Sequence, residues 1–135
     1  YFNHSQYVQG WSYYNKAIGT PLLPVHQELD HENLPHTENN FPINRVTGFH
    51  LAGDGLVLGK IHLQARLTYT LNRGTFSFPF PSDVKQFSSL LNIKTSPKWL
   101  HGFSVGGKVA YDSGELYRSR FGAFLSLSKI WRNDK

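Results

Sequence analysis

The sequence predicts an all-β chain: an antiparallel meander of about five long strands, the C-terminal part of a transmembrane outer-membrane β-barrel. Three observations carry this expectation. First, residues 61–72, IHLQARLTYTLN, alternate without error. Ile61, Leu63, Ala65, Leu67, Tyr69 and Leu71 are apolar or aromatic, while His62, Gln64, Arg66, Thr68, Thr70 and Asn72 are polar. A strand sends successive side chains to opposite faces, so this is a strand with two distinct faces. Second, the stretch is about a dozen residues long, against ~5–6 for a soluble strand and ~9–11 for a tilted strand that crosses a bilayer. Third, further two-faced stretches follow one another with connections that read alternately long and short, as in outer-membrane barrels.

In chain order, residues 1–19 are rich in Tyr, Asn, Gln and Gly and read as a structured loop, with one short strand around 7–14. Residues 20–42 contain Pro21, Pro24, Pro35 and Pro42, which exclude a regular helix or a central strand. The first long strand covers 43–53, with Ile43, Thr47, Phe49 and Leu51 on one side, and Gly53-Asp54-Gly55 reads as its turn. The strand over 60–72 follows. A long loop is expected over 73–85, because two prolines interrupt FSFPFPSD. Strands are then expected over 86–95, 99–112 and 118–131, joined at Ser96-Pro97-Lys98 and Ser113-Gly114. Two regions result: an extracellular loop region, 1–42, and the strands of the barrel, 43–135.

There is no Cys, which removes disulfides, thiolate metal sites and thiol chemistry. There is no Met either, and the chain starts at Tyr1, so a processed chain or a fragment is expected. No apolar run of ~18 residues encodes a transmembrane helix, a criterion that does not touch membrane strands. The formal charge is +5, with Glu28, Asp30, Glu32 and Glu38 gathered in one segment, leaving the strands more basic than the total suggests. Such a surface favours anionic partners: nucleic acid, acidic glycans or lipid head groups.

The polar faces of the strands carry mainly Ser, Thr, Gln, Asn, His, Gly and Arg with few carboxylates, which suits a wet barrel lumen better than a surface in bulk water. The apolar faces of 61–72 and 121–127 carry no charge, as a lipid-facing surface requires. Five strands do not close a wide barrel, so a larger barrel is expected. The alternative is a soluble β-sandwich or small barrel acting as a carbohydrate- or ligand-binding module.

Chemistry-bearing residues fall in three groups. His26, Glu28, Asp30, His31, Glu32 and His36 look metal-like, but His31 and His36 are spaced one residue too far for H-E-x-x-H, and Pro35 spoils the helix. We expect no metal site and no cofactor there. Asn3, His4, Trp11, Tyr13 and Tyr14 mix aromatic faces, which stack on sugar rings, with groups that read hydroxyls. The other reading is that these rings pack the loop against the barrel mouth. Arg66, Arg118 and Arg120 lie on polar faces, and Arg73 lies where a strand meets a loop. Their guanidinium forks suit carboxylates or phosphates of an acidic polysaccharide, or else form a structural ladder filling the lumen. No nucleophile elbow, phosphate loop or dinucleotide fingerprint occurs, and no two carboxylates are paired by the sequence, so no enzyme is expected. Nucleic acid is not expected as a partner, because no strand carries both a basic and an aromatic stripe.

The chain resembles the capsule assembly Wzi family of Gram-negative bacteria, in its Bacteroidetes-like form. The resemblance rests on YFNHSQYVQGWSYYNKAIGTPL (1–22), close to a YYNH…GW.Y…IG.PL pattern, and on INRVTGFHL (43–51), TYTLNRGTF (68–76), QFSSLL (86–91) and YDSGELY (111–117). It implies an outer-membrane β-barrel that assists capsule assembly by binding and retaining capsular or exopolysaccharide, as a lectin and not as an enzyme. The implied partners are that polysaccharide, acidic ones included, and outer-membrane lipid. The family's barrel is several times longer, which makes these strands its C-terminal portion.

Overall fold

The computed structural model describes residues 10–19, 22–29 and 40–129. Strands β1 (Ser12–Tyr13) and β2 (Lys16–Ala17) form a small hairpin. Strands β3 (Val46–Val57), β4 (Ile61–Gly74), β5 (Pro79–Thr95), β6 (Phe103–Gly114) and β7 (Arg120–Lys129) form one antiparallel sheet in sequence order. The expected meander of five long strands is therefore present. The sheet is open, with β3 and β7 at its edges.

Cross-strand contacts fix the faces. His50 Nδ1 lies 2.8 Å from Thr68 Oγ1, and Gly48 packs on Thr70. Gly74 approaches Phe80, and Gly106 approaches both Lys94 and Ser126. Ser96 Oγ meets Ser104 Oγ at 2.6 Å. Even-numbered residues of all five strands therefore share one face and odd-numbered residues the other. The odd face is the apolar one read from residues 61–72.

Several boundaries differ from expectation. β3 runs straight through Gly53, Asp54 and Gly55. The turn falls instead at Leu58-Gly59, with φ of 52° and 64° and the Lys60 N–H donating to Val57 O at 3.2 Å. That is the type I′ geometry, whose twist matches a tight hairpin. β5 starts at Pro79, not after Lys85, so the expected long loop shrinks to 75–78. The prolines are tolerated for a local reason. Glu115 N–H donates to Lys85 O at 2.9 Å, so odd residues of β5 direct their backbone groups toward β6. β6 ends at Gly114, beside Lys85, and the missing N–H groups of Pro79 and Pro81 have no ladder to serve there.

A 3₁₀ turn, Lys98–Leu100, places Trp99 in the 96–102 connection instead of opening the fourth long strand. β6 continues through Ser113 and Gly114, and its link to β7 is 115–119. Connections of 58–60, 75–78, 96–102 and 115–119 do not alternate between long and short as expected. The expected continuation of the last strand to Trp131 lies outside the described residues, as do residues 7–9 of the strand expected over 7–14, of which β1 occupies only Ser12–Tyr13.

The chain divides into two compact units. The first holds the residues up to Phe49, Tyr69–Phe87 and Asp112–Ser119. Its core packs Leu29 and Ile43 with Phe80, Val84 and Leu116, and Val25 and Phe41 are buried in the same unit. Phe41, Ile43 and Val25 are wholly buried, each worth about 1.5–3 kcal/mol of transfer free energy. This core lies on the even face of the sheet, where Thr70, Asn72 and Gln86 are buried too. Thus residues 22–29 and 40–43 cover the polar side and leave the apolar side open. Asn72 Nδ2 donates to Thr70 Oγ1 (3.1 Å) and Val84 O (3.0 Å), and Gln86 Oε1 accepts the Tyr117 N–H (3.2 Å). The second unit holds His50–Thr68, Ser88–Tyr111 and the chain from Arg120. Among its described residues only Gly106 is buried.

Candidate functional site

In the second unit the odd face carries Leu51, Val57, Leu67, Leu91, Ile93, Val105, Val109, Tyr111, Phe121, Leu125 and Leu127, all exposed. Leu125 is 84% and Phe121 69% exposed. Ile61 and Leu63 lie on the same face and are half-buried. The even face of this unit presents Arg66 from β4, Lys94 from β5, Lys108 from β6 and Arg120 from β7, all exposed. Asp54 is the only carboxylate among the unit's described residues, and it lies 3.1 Å from His62 Nε2. One side of these strands is therefore an uncovered apolar surface, and the other a mainly polar surface, interrupted by exposed Leu56 and Phe124, with a strong excess of cations.

In the first unit the β1–β2 hairpin turns through Tyr14 (φ 47°) and Asn15 (φ 58°), again a type I′ turn. Asn at its second position tolerates this backbone, and Tyr14 is held there at some strain. The Trp11, Tyr13 and Tyr14 side chains are all exposed, and the Tyr13 and Tyr14 rings meet edge-to-face with centroids 4.5 Å apart. Asn40 Nδ2 donates to Ser12 Oγ at 2.9 Å and ties the hairpin to the segment before β3. The structure thus gathers Trp11, Tyr13 and Tyr14 on one hairpin with their side chains exposed. Asn3 and His4 lie outside the described residues.

The arginines separate. Arg66 and Arg120 belong to the basic face of the second unit. Arg118 was expected on the polar face of the last strand, but β7 begins at Arg120, and Arg118 is exposed in the 115–119 link of the first unit. Arg73 is on the odd face, and its guanidinium is occupied: Nε donates to Asp83 Oδ1 at 2.9 Å and Nη2 to Asp83 Oδ2 at 3.3 Å. Its fork is therefore filled by a carboxylate of the chain itself, one that strand β5 supplies. Lys94 and Lys108 complete the basic face but were not among the expected site residues. The two-residue period already places both with Arg66 and Arg120, given the strand registers.

Of the metal-like segment, His26 and Glu28 form a single 3₁₀ turn, and Glu28 Oε2 accepts the Val25 N–H at 3.2 Å. That gives Glu28 a structural task. Asp30, His31, Glu32 and His36 lie outside the described residues, among which no group of three or more metal-ligating side chains occurs. Tyr117 is largely buried, which pushes its phenol up to about 12, with the nearby negative charges of Glu28 and Asp112 adding to the effect.

No family model, curated protein or solved structure matches this chain.

Proposed function

We propose that the protein is an outer-membrane component that sets its apolar sheet face against lipid and holds an acidic surface polysaccharide on its polar face, without catalysis. The observation that carries this reading is the division of the second unit. Among its described residues, every large residue on the apolar side is left at least partly uncovered, while the opposite side, which also exposes Leu56 and Phe124, presents Arg66, Lys94, Lys108 and Arg120 against Asp54 alone. An apolar surface of this extent on a soluble protein calls for a covering layer. Lipid supplies that layer without further protein. Strand length supports the same reading. β4 has 14 residues, and its apolar set from Ile61 to Leu71 extends roughly 33 Å along the strand at ~3.3 Å per residue. At a tilt of ~40° that covers an apolar band ~25 Å tall.

The resemblance to the capsule assembly family agrees with the basic face and the open aromatic hairpin, since ring stacking and guanidinium forks together suit an acidic sugar chain. The test is binding of an acidic capsular polysaccharide, against a neutral one of similar length, by the whole protein in detergent. The reading expects preference for the acidic chain, falling several-fold in Arg66→Gln and Lys108→Gln and falling with salt. Equal binding of both polysaccharides, or a cooperative fold in plain buffer without detergent, contradicts it. The second outcome would favour a soluble carbohydrate-binding sheet.

A further inference from the structure

We propose that the rim of the apolar face in the first unit binds the phosphate of an anionic lipid head group, through Arg45 and Lys85 beside the Arg73–Asp83 pair. This rests on the membrane reading above and concerns the opposite face from the polysaccharide. On the odd face, Phe49 lies opposite Tyr69 by the register that pairs His50 with Thr68. The Arg73–Asp83 pairing likewise sets Tyr69 opposite Phe87. One step beyond this aromatic row stand Thr47, Leu71 and Lys85, and at the second step the face turns to charge with Arg45, Arg73 and Asp83. Aromatic rows followed by cations are where a bilayer's apolar band meets its head groups.

The charges do not balance among themselves. Arg73 N–H donates to Arg45 O at 2.9 Å, and Arg45 N–H donates to Gly74 O at 3.1 Å, so backbone bonds hold Arg45 beside the end of β4 that carries Arg73. Like charges held on neighbouring segments are unfavourable unless an anion lies between them. Asp83 answers Arg73 with both of its oxygens. Glu115 spends one oxygen on the Lys85 backbone N–H at 3.1 Å. Arg45 and Lys85 both lie close enough to act electrostatically on Asp83, and among the described residues neither side chain has a carboxylate fork of its own. The Arg45 guanidinium rests 5.0 Å over the Phe76 ring, in the 75–78 link, where Phe76 and Phe78 are both exposed. Cations converging beside exposed aromatic rings at the edge of an apolar surface fit a phosphate whose acyl chains lie along that surface.

The test uses the whole protein in non-ionic detergent, with native mass spectrometry reading retention of phosphatidic acid against diacylglycerol of the same chains. Phosphatidic acid is expected to be retained and diacylglycerol lost. Arg45→Gln combined with Lys85→Gln is expected to weaken retention about tenfold or more, and Arg45→Lys less. All of these leave the Arg73–Asp83 pair in place, and Arg66→Gln on the other face is expected to change nothing. Equal retention of the two lipids, or unchanged retention in the double variant, overturns the inference. Displacement by equimolar inorganic phosphate overturns it in favour of a soluble anion site. Failure of the protein to enter micelles at all defeats it together with the membrane reading, whereas entry without preference for the phosphate defeats it alone.

Discussion

Replacing Leu125 by arginine separates a lipid-facing sheet from one that stands in water. Leu125 sits midway along the apolar side of β7, between the aromatic Phe121 and Lys129, whose Nζ lies 4.8 Å over the Phe103 ring. Its side chain is 84% exposed and runs beside Gly107 on β6. In water such a residue contributes little, and a polar replacement changes stability by less than ~0.5 kcal/mol. In lipid the same guanidinium enters hydrocarbon near mid-depth and costs ~2–4 kcal/mol, falling toward zero near the interfaces. The assay is equilibrium urea unfolding from lipid vesicles, comparing Leu125→Arg with Ser126→Arg one residue along on the polar face. With a urea slope of ~1–3 kcal/mol/M, the first variant loses about 1 M or more in midpoint and the second almost nothing. Equal midpoints for the two variants and the parent refute the reasoning.

Other positions test the first unit. Ile43 is wholly buried, and Ile43→Ala is expected to cost ~2–5 kcal/mol in a urea titration. Gly74 has φ +72°, and an added Cβ would lie 2.5 Å from Phe78 O and 3.0 Å from Phe80, so Gly74→Ala is expected to cost about 2–4 kcal/mol by the same measurement. Leu58 occupies the left-handed region at φ 52°, and Leu58→Asn is expected to raise stability by about 1 kcal/mol, seen as a higher midpoint. Tyr117 holds its proton to about pH 12 in the folded chain and releases it near 10 when unfolded. The folded state then binds more protons between those values, so stability present below pH 10 falls by about 2–3 kcal/mol as pH rises to 12. Tyr117→Phe is expected to remove that part of the alkaline loss, measured as the difference between the two unfolding curves against pH.

The two-residue period carried most of what the sequence made legible. It placed β4 within two residues at each end and assigned its faces, because alternation is set by backbone geometry alone. It failed where backbone chemistry is normally decisive. Gly53 and Gly55 look like a turn, yet β3 passes through both, and the turn falls at Leu58-Gly59, whose leucine gives no turn signal. Pro79 and Pro81 look like breakers, yet they stand beyond the end of β6, where β5 has no paired strand on that side among the described residues. That depends on where β6 ends, a long-range fact no local window contains. The packing of Leu29 and Ile43 against Phe80, Val84 and Leu116 was hidden for the same reason: only tertiary contacts bring an irregular, proline-rich segment onto the strands. The site was legible in part. Arg66 and Arg120 fall on the basic face as expected, whereas the occupation of Arg73 required Asp83, a residue read as loop.

The chain contains no cysteine, so single cysteines can be placed along β4 without interference. The most direct test of lipid contact is to label positions 61–72 one at a time with a small fluorophore, in vesicles, and to measure quenching by brominated acyl chains. A lipid-facing sheet gives strong quenching at 61, 63, 65, 67, 69 and 71 and weak quenching at the positions between them. Quenching that is uniform or absent along the strand, with every position open to an aqueous quencher, contradicts the account.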